Sequence, residues 1–117
     1  MKMKLTLLML TLCLLPGLSF AGYAHEQVTV GATTVKLTSS TYNSSVPGQT
    51  LDGAICTLET AQVRFCADGR DPATNTDCPL WDPVNAQSAL QFTPSEVINL
   101  RFIETTATAG VVKCTYY

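Results

Sequence analysis

Four cysteines, Cys56, Cys66, Cys78 and Cys114, lie in a short chain that carries the marks of export. That combination limits the fold more than any other feature. In an oxidising compartment an even set of cysteines in a small chain forms disulfides, and four allow three connectivities. Zinc is the competing use. No CxxC pair is present, however, and His25 is the only histidine.

Export is read from the N-terminus. Lys2 and Lys4 precede an uncharged apolar run, LTLLMLTLCLL, which Pro16 and Gly17 break before the small residues Ser19 and Ala21. The run is too short to span a bilayer, which takes about 20 apolar residues. Its order of parts is that of a secretory signal peptide over residues 1–21, cleaved after Ala21, with Ala24 as second choice. A retained anchor and a lipid on Cys13 are the alternatives. Leu12 before Cys13 is not the small residue a lipoprotein site uses. Cys13 leaves with the segment, and no membrane attachment follows cleavage.

Residues 22–117 then form one domain, too short for two cores. Seven basic residues less Lys2 and Lys4 leave five, against nine acidic ones, a formal charge of −4. A mildly acidic chain with no basic run is not built to neutralise phosphates, so nucleic acid is not expected as a partner.

The mature sequence reads as strands and turns. Val28 to Val30 alternate before Gly31-Ala32, and TTVKLT (33–38) alternates again with Val35 and Leu37 on one face. Residues 39–53 are rich in Ser, Thr, Asn, Pro and Gly, with Val46-Pro47-Gly48 as a turn signal. AICTLE (54–59), QVRFCA (62–67), ALQFT (89–93), LRFIET (100–105) and VVKCTYY (111–117) are further strands. Pro94-Ser95-Glu96 starts one helical turn, and no segment sustains a helical period. The class is all-β, a small antiparallel sandwich or jelly-roll-like barrel, stapled by disulfides.

Strand parity selects a pairing. Cys56 shares a face with Leu58, and Cys114 shares one with Val112 and Tyr116, so both point into the core. Val63 and Phe65 point inward, so Cys66 faces out, and Cys78 ends the polar loop that Cys66 begins. The expected bonds are Cys56–Cys114 and Cys66–Cys78.

Chemistry is sparse. Nucleophilic catalysis needs a base beside the nucleophile, and His25 lies in a segment expected to fray. An exported hydrolase therefore has least to stand on, and no cofactor or metal is expected. Asp68, Asp71, Asp77 and Asp82 cluster in DGRDPATNTDCPLWDP. Several loop carboxylates are what calcium takes, but the spacing is not that of an EF-hand and Arg70 sits among them. Turn chemistry accounts for Asp-Gly and Asp-Pro more simply. Trp81, the single tryptophan, either plugs the core under this loop, the favoured reading, or contacts a ligand beside Asp68, Asp71 and Asp77.

Residues 61–65 (AQVRF) followed by 68–74 (DGRDPAT) resemble a pattern in small tailed-phage virion proteins. Those are β-rich proteins with a VRF strand, a DGTDPT-like loop, an acidic EI..FR.I segment and a last strand ending in Tyr. Residues 96–103 (EVINLRFI) and 114–117 (CTYY) are similar to the later parts, and Val28 to Val30, Val35, Leu37 and Thr41-Tyr42 to the opening. The chain departs from that pattern in its signal peptide and its cysteines. Arg64 and Arg101 stand at matching positions, where cross-strand pairing with Glu59 or Glu104 is the simplest expectation. The resemblance implies a structural or assembly protein and not an enzyme. It would be a head-decoration-like module adapted for export, with protein partners or self-assembly into a homo-oligomer. It would be secreted or periplasmic, or part of a virion if phage-encoded. The alternative is a secreted monomeric binding module that presents the 66–88 loop to a glycan or protein.

Overall fold

The computed structural model describes residues 24–43, 50–84 and 89–117. The expected signal peptide and the turn at Val46-Pro47-Gly48 lie outside them. Eight strands follow one another: β1 (His25–Val30), β2 (Val35–Lys36), β3 (Ala54–Glu59), β4 (Val63–Cys66), β5 (Leu80–Trp81), β6 (Ala89–Phe92), β7 (Arg101–Glu104) and β8 (Gly110–Tyr116). Two short helices interrupt them, α1 (Ser39–Asn43) and α2 (Pro94–Asn99). No helix among the described residues is long and apolar enough to cross a membrane.

The strands form two four-stranded antiparallel sheets, ordered β1-β8-β3-β6 (sheet A) and β2-β7-β4-β5 (sheet B). The first strand pairs with the last, the second with the seventh, the third with the sixth and the fourth with the fifth. The chain is thus one long hairpin, nested four pairs deep and folded over into a sandwich. That is the jelly-roll arrangement, of the two architectures the strand rhythm allowed. Nearly every connection crosses between sheets, so each sheet is built from strands far apart in sequence.

Alternation fills the interior. In β8, Gly110, Val112, Cys114 and Tyr116 point inward, and in β3, Ala54, Cys56 and Leu58 meet them. Sheet B supplies Val63, Phe65, Trp81 and Phe102. Phe65 stands edge-on to Trp81 and Phe92, at 6.1 and 5.9 Å between ring centres, a geometry that aromatic quadrupoles favour. Gly110 lets the sheets approach. A methyl group there would stand 2.5 Å from a Val63 methyl and 3.0 Å from the Ala61 carbonyl.

A polar contact closes one end of the core. Glu26 is on the inner side of β1 and its carboxylate accepts from the Tyr116 hydroxyl and from the Thr38 amide, the latter at 2.9 Å. Burial and this carboxylate together push the Tyr116 phenol well above its ordinary pKa. Tyr42 of α1 stands edge-on to Tyr116. Residues 39–43 were expected as irregular turn, and the helical turn there exists to bring Tyr42 onto the core. β2 is correspondingly shorter than the expected 33–38.

Two other local expectations hold closely. β3 covers 54–59, and α2 begins at Pro94 behind an N-cap Thr93. The Thr93 hydroxyl accepts from the Glu96 amide, and the Glu96 carboxylate accepts from the Thr93 amide at 2.7 Å. That reciprocal pair, with Pro at the first helical position, is a strong start signal.

Candidate functional site

Both disulfides are present as expected, Cys56–Cys114 and Cys66–Cys78. Cys56 and Cys114 are direct partners in the β3–β8 register. Disulfides of this kind belong to an oxidising compartment.

Cys66 needs a correction. It does sit on the outer face of sheet B, but it is only 1% exposed. The loop 67–79 folds back over it, and Cys78 is buried with it. The loop is anchored at three places. The Phe65 amide donates to the Pro79 carbonyl, the disulfide closes the base, and the Thr34 hydroxyl donates to Asp71 Oδ1 at 2.6 Å.

The acids of this loop serve the loop itself. Arg70 donates from Nε to Asp68 at 2.6 Å and from Nη1 to Asp77 at 2.7 Å. These hydrogen bonds hold the Asp68 and Asp77 carboxyls below the usual carboxylate range. Asp71 is lowered first by the Thr34 hydroxyl and then by the Ala73 amide, which donates to it at 3.0 Å. The Asp71 carbonyl accepts from the Asn75 amide and side chain. Gly69, at φ +86°, takes the left-handed turn that lets Arg70 reach back to Asp68. Asp82 accepts from the Val84 amide, an ordinary turn contact. These partners are what turn chemistry predicts. Cys66, Asp68 and Cys78 also group within 4.8 Å, but both sulfurs are held in the disulfide and offer no thiolate.

Trp81 is 1% exposed, opposite Val63 and against Phe65. It is packed in the core, as favoured, on the opposite side of sheet B from the loop, and its ring offers no surface to a ligand. His25 is not frayed: it opens β1, and its Nδ1 is hydrogen-bonded to the Thr115 hydroxyl at 3.0 Å.

Arg64 and Arg101 also differ from expectation. Neither pairs with Glu59 or Glu104. Glu59 is bonded to Lys113 at 3.0 Å across sheet A. Glu104 shares a register row with Val63, on the inner side, whereas Arg101 and Arg64 point outward. Their Nε atoms are buried without an acceptor. Parity alone shows the Arg101 part of this, since residues three apart on a strand face opposite ways.

Sequence reasoning missed a second surface feature. Asp52, Gln91, Phe92, Thr93, Glu96 and Tyr117 line an open groove of ≈ 390 Å³ at the β6 edge of sheet A. Gln91 donates to the Tyr117 hydroxyl at 2.5 Å, fixing the ring as one wall. No short motif marks it, because three separate stretches of chain supply the lining. Compared with family models, curated proteins and solved structures, the chain matches none.

Proposed function

We propose that this chain is an exported, non-enzymatic structural module that works by associating with protein, copies of itself included, in the manner of a phage virion decoration protein adapted for an oxidising compartment. The observation that carries this reading is the filled interior. Trp81, Tyr116, Phe102 and Leu100 occupy the space between the sheets, where roomier barrels keep a ligand cavity. The chemistry left for a partner is therefore on the outside, on the sheet faces and strand edges.

One edge is open. β2 and β5 are two residues long and offer little to pair with, but β1 presents six residues, HEQVTV, without the lysine or proline that blunts edge strands. The jelly roll is shared by capsid and lectin domains, so the fold supports the reading only by analogy. The similarity of residues 61–74 and 96–103 to virion proteins favours the structural branch. The loop-centred binding alternative loses its anchor with the burial of Trp81.

Sedimentation velocity on the oxidised mature protein tests the proposal. Reversible, concentration-dependent association is expected. A strict monomer at about 1 mM, where contacts of about 4 kcal/mol register, overturns it.

A further inference from the structure

Residues 22–117 hold five basic side chains, and the fold divides them into two groups. Arg70 is paired with Asp68 and Asp77, and Lys113 with Glu59. Lys36, Arg64 and Arg101 have no ion-pair partner among the described residues, and all three lie on the outer face of sheet B. In one row of the register Lys36 stands beside Arg101, which stands beside Cys66. In the next row Ile103 stands beside Arg64, which stands beside Leu80. Neither row contains an acid. Asp71, on the loop that covers this side of the sheet, lies close enough to Arg101 for their charges to interact without forming an ion pair, and its Oδ1 accepts from Thr34 and Ala73.

Like charges on neighbouring strands repel. The buried Nε atoms show that both guanidiniums are partly stripped of water while keeping their full charge. Ile103 adjoins Arg64 across the strands and Leu80, 48% exposed, stands on the far side of Arg64, and both add apolar surface to the face. Cations set among aliphatic side chains fit a protein surface that brings carboxylates and an apolar or aromatic group together.

The same chain carries such a surface. Apart from Lys36, Arg64 and Arg101, residues 22–117 hold nine acids and two bases, a formal −7. The groove at the β6 edge contains Asp52, whose carboxylate has no hydrogen-bond or ion-pair partner among the described residues, beside the Tyr117 ring and Glu96. A guanidinium entering it meets a carboxylate and an aromatic face at once.

We infer that the Lys36–Arg64–Arg101 face of one copy docks on the Asp52–Tyr117 groove of a second copy. The two surfaces differ and belong to different sheets, so the contact is head-to-tail. Each copy leaves one surface of each kind open, and the contact propagates unless its rotation closes a ring. This inference rests on the assembly reading and names its partner and sense.

Two variants test it, R64Q/R101Q and D52N, each checked for two intact disulfides and a wild-type far-ultraviolet spectrum. Asp52 contributes only main-chain hydrogen bonds to the fold, so D52N decides the matter even if the arginine variant fails to fold. In sedimentation velocity the wild type is expected to associate more weakly as salt rises from about 20 to about 500 mM. Each variant alone should associate about tenfold more weakly or worse. Mixed, they should form a complex that stops at two copies, because one supplies an intact groove and the other an intact cationic face. Variants that associate as tightly as the wild type, or a mixture that stays monomeric, overturn the inference and leave the assembly reading standing. A wild type that never associates overturns the assembly reading, and this inference with it.

Discussion

The two disulfides are both buried, but different things bury them. Cys56 and Cys114 face each other across the two central strands of sheet A, and both belong to the buried core between the sheets. Cys66 points away from that core. What covers it is loop 67–79, and the bond to Cys78 is one of the contacts that keeps the loop in place. The first bond joins residues 58 apart and locks the outermost and third pairs of the nested hairpin together. The second spans 12 residues and acts within one loop. Parity tells which side of a strand a cysteine takes, and the rest of the chain decides whether that side is wet.

That contrast can be broken most strongly at the core. Replacing Cys56 and Cys114 together by alanine removes a long-range constraint on the unfolded chain. It is expected to lower stability by about 4 kcal/mol in the chain-entropy model. Urea unfolding should show the loss, and amide exchange should rise throughout both sheets. The corresponding Cys66 and Cys78 double variant should lose about 3 kcal/mol, with the fastest exchange confined to 67–79. If exchange rises equally across both sheets there, the loop is part of the core unit and the contrast collapses.

A smaller effect sharpens the comparison at the polar end of the core. Tyr116→Phe leaves the Glu26 carboxylate with the Thr38 amide as its remaining donor among the described residues. The loss of one hydrogen bond to a partly buried charge should cost about 1–2 kcal/mol. Thermal unfolding of the variant against the wild type measures it, and the loop's exchange rates should not move.

The smallest effect belongs to the loop's carboxylates. Asp68 and Asp77 are held below the ordinary value of 3.8 by Arg70, and Asp71 by Thr34. Their folded values are depressed, so their contribution is fully present above 3.8 and is lost as pH falls through the lowered values. Amide exchange of residues 68–78, corrected for its intrinsic pH dependence, should therefore show weaker protection at about pH 2.5 than at about pH 6. In Arg70→Ala that difference should shrink. An unchanged pH response in the variant would mean that Arg70 does not hold the loop.

Much of this was legible in the sequence because it depends on neighbours along the chain. The boundaries of β3, the capped start of α2 and both disulfide pairings follow from alternation and from Thr93-Pro94-x-Glu96. The loop from Asp68 to Cys78 follows from its turn residues. The candidate surfaces were legible only in part. Arg64 and Arg101 stood out, but their expected partners did not, since Glu59 is claimed by Lys113 on the other sheet. Asp52 and Tyr117 carried no signal, as their neighbourhood joins β3, β6 and the end of β8.

The sequence by itself determined the class of fold, the inward and outward side chains of each long strand, and which cysteines bond. These are set by a two-residue period and by short-range turn chemistry. The tertiary structure alone decided the nesting of first strand with last, the burial of Cys66 under its own loop, and the gathering of three cations on one face. Those depend on which distant segments meet. A strand's pattern says that it needs a partner and a cover, but the partner and the cover come from elsewhere in the chain.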